Sequence, residues 1–247
     1  MKSTGCGVLS YAFALLFCAN VAQASVIIGG TRVIFPAKDG EVTLRLSNDS
    51  ARPALIEAWV DRGDPKSTPE KVDAPFLITP PLFRIEAHKD QSLRIIATPA
   101  PLPTDRESLF WLNVLEIPPK PSSMETQDKN TLQLAIHSRL KLFYRPDHLP
   151  GDPLKVPAQL IWKVAPQAQG YVLDVRNPTP YHITITDLSV NVGGKSYAGE
   201  TGMIDPLGVL RLTIKGLSQA PAAGTPVNYV VVNDYGAATT FSGTIAP

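Results

Sequence analysis

The chain of 247 residues carries 23 Lys and Arg against 22 Asp and Glu, and its net charge of +1 gives no basic excess for holding nucleic acid or an anionic membrane surface. Hydrophobic residues make up 44% of it and charged residues 18%, the balance of a folded rather than a disordered chain. Both cysteines, Cys6 and Cys18, lie near the start, which excludes a disulfide framework for everything that follows.

Lys2 precedes an apolar run around Val8 to Cys18 and then Ala22, Gln23 and Ala24, the layout of a secretory leader cut after Ala24. The run is too short for a mature membrane-spanning helix. Phe17 before Cys18 is a poor context for lipid attachment, so no lipid anchor and no stable membrane insertion are expected. Cleavage there leaves 223 residues with 22 basic and 22 acidic side chains and no cysteine, an exported chain stabilised by packed cores alone.

Short β-branched and aromatic runs divided by Pro, Gly and Asp turns predict an all-β protein. VIIGGTRVIF opens the mature part, with Gly29 and Gly30 placed to bend a strand or switch it between sheets. EVTLRLSN (41–48) turns Val42, Leu44 and Leu46 to one face, and PALIEAWV follows with Trp59, which reads as core filling of an immunoglobulin-type sandwich. After a charged loop over 61–75, FLITPPLFRIE (76–86) holds Pro80 and Pro81 in its middle, so a kinked edge strand is expected, with room for a cis bond before one proline. QSLRIIATP (91–99) and SLFWLNVLEIP (108–118) are further strands, and the polar residues 118–131 read as a mobile loop.

TLQLAIHSRLKLFYRP (131–146) is the stretch the rest serves. Leu132, Leu134 and Ile136 recur at period two, and Pro146 ends the pattern because it cannot donate a ladder hydrogen bond. The periodicity fits two arrangements equally: a long central strand packed in its own core, or an edge strand left open for a strand of another chain. Lys141 has odd parity and the apolar trio even, so a regular strand points them to opposite faces, and a bulge, twist or cleft is needed to bring them to one ligand.

About seven strands precede Pro146. PDHLPGDPLKVP (146–157) is the linker, and AQLIWKV, GYVLDVRN, HITITDLSVNV, KSYAG, GVLRLTI, VNYVVVND and TTFSGTI form a second series of about seven. The expected division is a leader over 1–24, one sandwich over 25–146 and a second over 147–247. His88, His137, His148 and His182 sit in unrelated segments without metal-ligand spacing, and there is no mature cysteine nucleophile, G-x-S-x-G elbow or phosphate loop. Asn48 in N-D-S has the form of a glycosylation acceptor, a triplet common by accident. No enzyme and no cofactor are expected.

LPTDRESLFWLNVLEIP (102–118), LQLAIHSRLKLFYRP (132–146), NPTPY (177–181) and NDYG (233–236) occur in an order that closely resembles the PapD-like periplasmic pilus chaperones across the whole mature chain. The resemblance implies two immunoglobulin-like sandwiches in a boomerang, with pilus subunits bound at the cleft and along the last strand of the first domain. On it, Arg32 and Lys141 match two cleft cations that anchor a subunit's C-terminal carboxylate. Leu132, Leu134 and Ile136 match the residues inserted into the groove of an incomplete pilin, and Glu107, Arg145 and Asp234 match an ionic network between the domains. The short preceding loop and the absence of a cysteine pair resemble the short-loop subclass, whose clients usually build rod-like fimbriae.

The implied partners are pilus or fimbrial subunits and an outer-membrane usher, in the periplasm, with self-association of the unloaded chain also expected. The competing reading is a structural fimbrial subunit or secreted adhesive sandwich. A pilin is typically one truncated sandwich with its own N-terminal donor extension, whereas this sequence carries two complete strand sets.

Overall fold

The computed structural model describes residues 26–118, 134–167 and 170–247. The expected leader, the segment 119–131 and Leu132 lie outside these residues. Among the described residues nine strands precede the linker: β1 (Val26–Ile28), β2 (Arg32–Pro36), β3 (Glu41–Asn48), β4 (Ala54–Asp61), β5 (Phe76–Thr79), β6 (Leu82–Ile85), β7 (Asp90–Ala97), β8 (Ser108–Ile117) and β9 (Ile136–Arg145). They form two facing sheets, β1-β3-β7-β5 and β2-β9-β8-β4-β6.

Nine strands stand where seven runs were expected because two runs divide between the sheets. At Gly29 and Gly30 the chain leaves β3 and crosses to β9. Gly29 donates its N–H to the Arg45 carbonyl, and a Cβ there would sit 3.0 Å from that oxygen, a close approach that favours glycine at the crossing. Around Pro80 and Pro81, β5 pairs with β7 and β6 with β4, each at a sheet edge, and the Thr79–Pro80 peptide is cis. Proline removes a donor from a ladder, which confines such a run to edges.

The inward faces follow the period-two pattern. Phe35, Leu46, Ile56, Leu93, Ile95, Phe110, Leu112 and Leu142 meet in one core, each fully buried aliphatic side chain contributing about 1.5–3 kcal/mol. Trp59 is buried as well, yet it lies on the outer face of β4 beneath the loop 62–73, and its indole N–H donates to Ser67 Oγ at 3.0 Å. Its neighbours Ile56, Ala58 and Val60 belong to the inward cluster and Trp59 does not.

The second sandwich consists of β10 (Ile161–Gln167), β11 (Gly170–Arg176), β12 (Ile183–Val192), β13 (Lys195–Ala198), β14 (Gly202–Ile204), β15 (Val209–Thr213), β16 (Pro226–Val232) and β17 (Ala238–Thr244). Its sheets are β10-β11-β15 and β13-β12-β16-β17, with β14 beside β12. The three residues of β14 are too few to leave a periodic signal. Trp162 packs on Tyr229 at 4.8 Å within its core. No helix among the described residues is long and apolar enough to cross a membrane.

Asn48 is a turn organiser rather than a glycosylation acceptor. Its buried amide donates to the carbonyls of Arg52, Ile85 and Glu86 while its Oδ1 accepts from Ser50 N–H and Oγ. Asn177 repeats this in the second sandwich, donating to the Tyr181 and Asp205 carbonyls and accepting from Thr179. Both side chains satisfy backbone groups that a buried turn would otherwise leave unpaired.

Candidate functional site

β9 runs through the site from end to end. It pairs antiparallel with β8 in unbroken register from Glu116↔Ile136 to Ser108↔Tyr144. On its other side β2 joins parallel, but only from Arg32↔Lys141 to Pro36↔Arg145. Residues 136–140 therefore have a strand on one side and, among the described residues, an open edge on the other. The strand begins at Ile136, shorter than the sixteen residues its pattern allowed.

With the register unbroken, parity holds along the whole strand. Leu142 is fully buried in the core and Leu140 nearly so, whereas Ile136 and Leu134 on the same face are 46% and 68% exposed. No bulge brings them around to Lys141. The odd-numbered side chains Lys141, Phe143 and Arg145 face the second sandwich instead, each against a group from it.

The parallel pairing sets Arg32 beside Lys141 although 109 positions separate them in sequence. Lys141 Nζ donates to Thr184 Oγ1 at 3.2 Å, and Arg32 Nη1 to the Val232 carbonyl at 2.9 Å. Among the described residues no carboxylate forms an ion pair with either cation, and Arg32 Nε is buried without a partner. Burial lowers the pKa of Lys141, and the neighbouring Arg32 lowers it further. Burial lowers Arg32 too, partly offset by Asp234. The two half-buried cations thus stand side by side, and among the described residues neither has an ion-pair partner.

Arg145 next along this face is fully satisfied. Its Nε donates to Glu107 Oε1 at 2.8 Å, and Nη1 and Nη2 reach both Asp234 oxygens at 2.7 and 3.0 Å. Burial works against its charge, but Asp234 and Glu107 outweigh that and hold its pKa above the ordinary value. Glu107 also accepts from His182 N–H and approaches its Nδ1 at 3.1 Å, while the Glu107 N–H donates to the Pro180 carbonyl. His182 is a packed histidine, one of the two readings its sequence context allowed, while Thr184, which no sequence motif marks, enters the cleft from β12.

A model of the pili and flagellar-assembly chaperone PapD N-terminal domain matches residues 25–150, and one of the pili assembly chaperone PapD C-terminal domain matches 155–242. The chain belongs to the PapD-type pilus-assembly chaperone family. The chaperone protein FimB/FhaD of Bordetella pertussis is 43% identical over 92% of this chain and 91% of its own length. The crystal structure of the YadV chaperone, a protein of Escherichia coli, superposes with a TM-score of 0.75 at 35% identity, covering 90% of this chain and all of that one. A chain of the Salmonella enterica SafA pilin in complex with the SafB chaperone superposes with a TM-score of 0.73 at 32% identity, over 90% of this chain and 97% of that one.

Proposed function

We propose that this chaperone captures fimbrial subunits in the periplasm by lending them the open edge of β9, holds them from premature polymerisation and delivers them to an outer-membrane usher. The observation that carries the reading is the juxtaposition of a cation pair that forms no ion pair among the described residues with the strand edge, open among those residues, that ends at it. A subunit whose C-terminal carboxylate lies between Arg32 and Lys141, and whose preceding residues pair along β9 back toward Ile136, runs parallel to β9. It then continues the direction of β2 from the point where β2 begins. Charge-assisted hydrogen bonds at the carboxylate contribute about 1.5–3 kcal/mol each.

Leu134 and Ile136, with Leu132 before them, fill the groove of a sandwich lacking its last strand, at about 1.5–3 kcal/mol for each side chain fully buried. Backbone pairing makes affinity depend little on the client's sequence, which suits several related subunits. The naming of a pilin as the partner in the SafA–SafB complex supports the client class. No catalysis, cofactor, nucleic acid or membrane insertion enters this function; transfer proceeds downhill when a better-fitting strand replaces the loan. Until a client arrives, the apolar edge is open to self-association. Glu107, Arg145 and Asp234 fix the angle between the sandwiches and thereby the width of the cleft.

The test is capture. Arg32→Ala and Lys141→Ala should each abolish co-purification with a pilin that lacks its own donor strand while thermal unfolding stays cooperative. Undiminished co-purification with both variants defeats the anchor.

A further inference from the structure

An unpaired strand edge is the place where a sheet frays, since half of its ladder is missing. Residues 136–140 nevertheless hold register with β8 throughout. Among their inward side chains Leu140 joins the core at the closed end, but Ile136, and Leu134 before it, are exposed, so core packing does not hold the far end. Their outward side chains are held by a polar network spanning three strands.

Arg139 Nη2 donates to both Asp61 carboxylate oxygens at 2.9 and 3.0 Å, its Nε donates to Asn113 Oδ1 at 3.0 Å, and its guanidinium lies 4.9 Å from the Trp111 ring centre. Asn113 Nδ2 donates to Asp61 Oδ2 at 2.6 Å, which turns its Oδ1 toward β9, where it also meets His137 Nε2 at 2.9 Å. The His137 ring lies 5.2 Å from that of Trp59. Gly63 N–H and Ser67 Oγ complete the shell of Asp61, and Ser67 accepts from Trp59.

Asp61 and Asn113 are 3% and 0% exposed. A buried carboxylate with only part of its partners is costly, so the network favours the one backbone geometry that satisfies all of them. Burial raises the Asp61 pKa, but the bonds from Asn113, Ser67, Gly63 and Arg139 bring it below its ordinary value. The network faces away from Leu134 and Ile136, so it leaves the face offered to a client untouched.

We infer that Asp61, Asn113 and Arg139 are positioning residues that hold the open half of β9 extended before any client pairs with it. A strand already ordered spares the client the entropy of ordering it, which speeds capture and tightens the complex. This rests on the capture function proposed above, but its first readout needs no client.

The experiment measures amide hydrogen exchange, residue by residue, on the unloaded mature chain, beside association rates with a pilin lacking its donor strand. Asp61→Asn and Arg139→Gln should accelerate exchange at 136–140 by at least about tenfold and leave 141–145 and the second sandwich unchanged. Association should slow on the order of tenfold. Ser67→Ala, a milder loss from the same shell, should show both effects in smaller degree and serves if the other two yield little folded protein. Exchange unchanged at 136–140, or raised uniformly through the first sandwich, overturns the inference, as does local loosening without slower capture. Failure of the unsubstituted chain to capture any pilin refutes the proposed function instead, and the exchange pattern still decides whether the network holds the edge.

Discussion

From Lys141 to Arg145, β9 lies between β2 and β8; from Ile136 to Leu140 it has, among the described residues, β8 alone. The register is continuous and the apolar face is the same, yet Leu142 is wholly buried and Ile136 is nearly half exposed. One half uses its alternation to close its own sandwich. The other keeps only Leu140 in that core and leaves Ile136 exposed. Side-chain pattern sets the face a strand presents, whereas the number of neighbouring strands sets who receives it.

Charging each half is the strongest way to break this contrast. Leu142→Glu buries an unpaired carboxylate in the core and should cost more than about 4 kcal/mol, seen as loss of the folded transition in denaturant. Leu134→Glu, on the same face in the other half, should move stability by less than about 0.5 kcal/mol. It should nonetheless weaken capture of a donor-strand-deleted pilin at least about tenfold, because the charge is buried only in the complex. Equal destabilisation by the two substitutions would erase the distinction.

Arg145→Ala removes the partner of Glu107, whose side chain is 2% exposed, and should cost about 3–5 kcal/mol in equilibrium unfolding. Asp234 is more exposed than Glu107, so Asp234→Asn should cost less than Arg145→Ala. The reverse order would place the weight of the junction on Asp234.

The smallest effect is on the open half and depends on pH. Because the Asp61 pKa is lowered in the folded chain, its contribution is fully present above the unfolded carboxylate value. It is lost as pH falls through the lower folded value. The stability difference between the native chain and Asp61→Asn should therefore be constant near neutral pH and shrink below about pH 4, in urea titrations at stepped pH. A difference that persists unchanged well below that value would mean that the carboxylate charge is not what holds the network.

Much of the fold is legible in the sequence. Alternation in EVTLRLSN gives the inward face correctly, Gly29–Gly30 and Pro80–Pro81 mark the breaks, and a proline-rich stretch lies between two strand series. What those breaks do is less legible. That each carries the chain to the opposite sheet depends on which strand is nearby to pair, as with β3 and then β9 on either side of Gly29 and Gly30. Trp59 shows the same limit: its size announces burial, but the loop and Ser67 that bury it come from further along the chain.

The cleft divides in the same way. Residue identity determines that Arg32 and Lys141 carry positive charge, and period two determines that Lys141 opposes the leucines. Only tertiary structure decides that the two cations are neighbours, that Thr184 and the Val232 carbonyl stand against them, and that β2 begins opposite Lys141, leaving the preceding residues of β9 open among the described residues. The physical reason is that side-chain alternation is fixed by local backbone geometry, while pairing and burial depend on strands brought together from more than a hundred residues away.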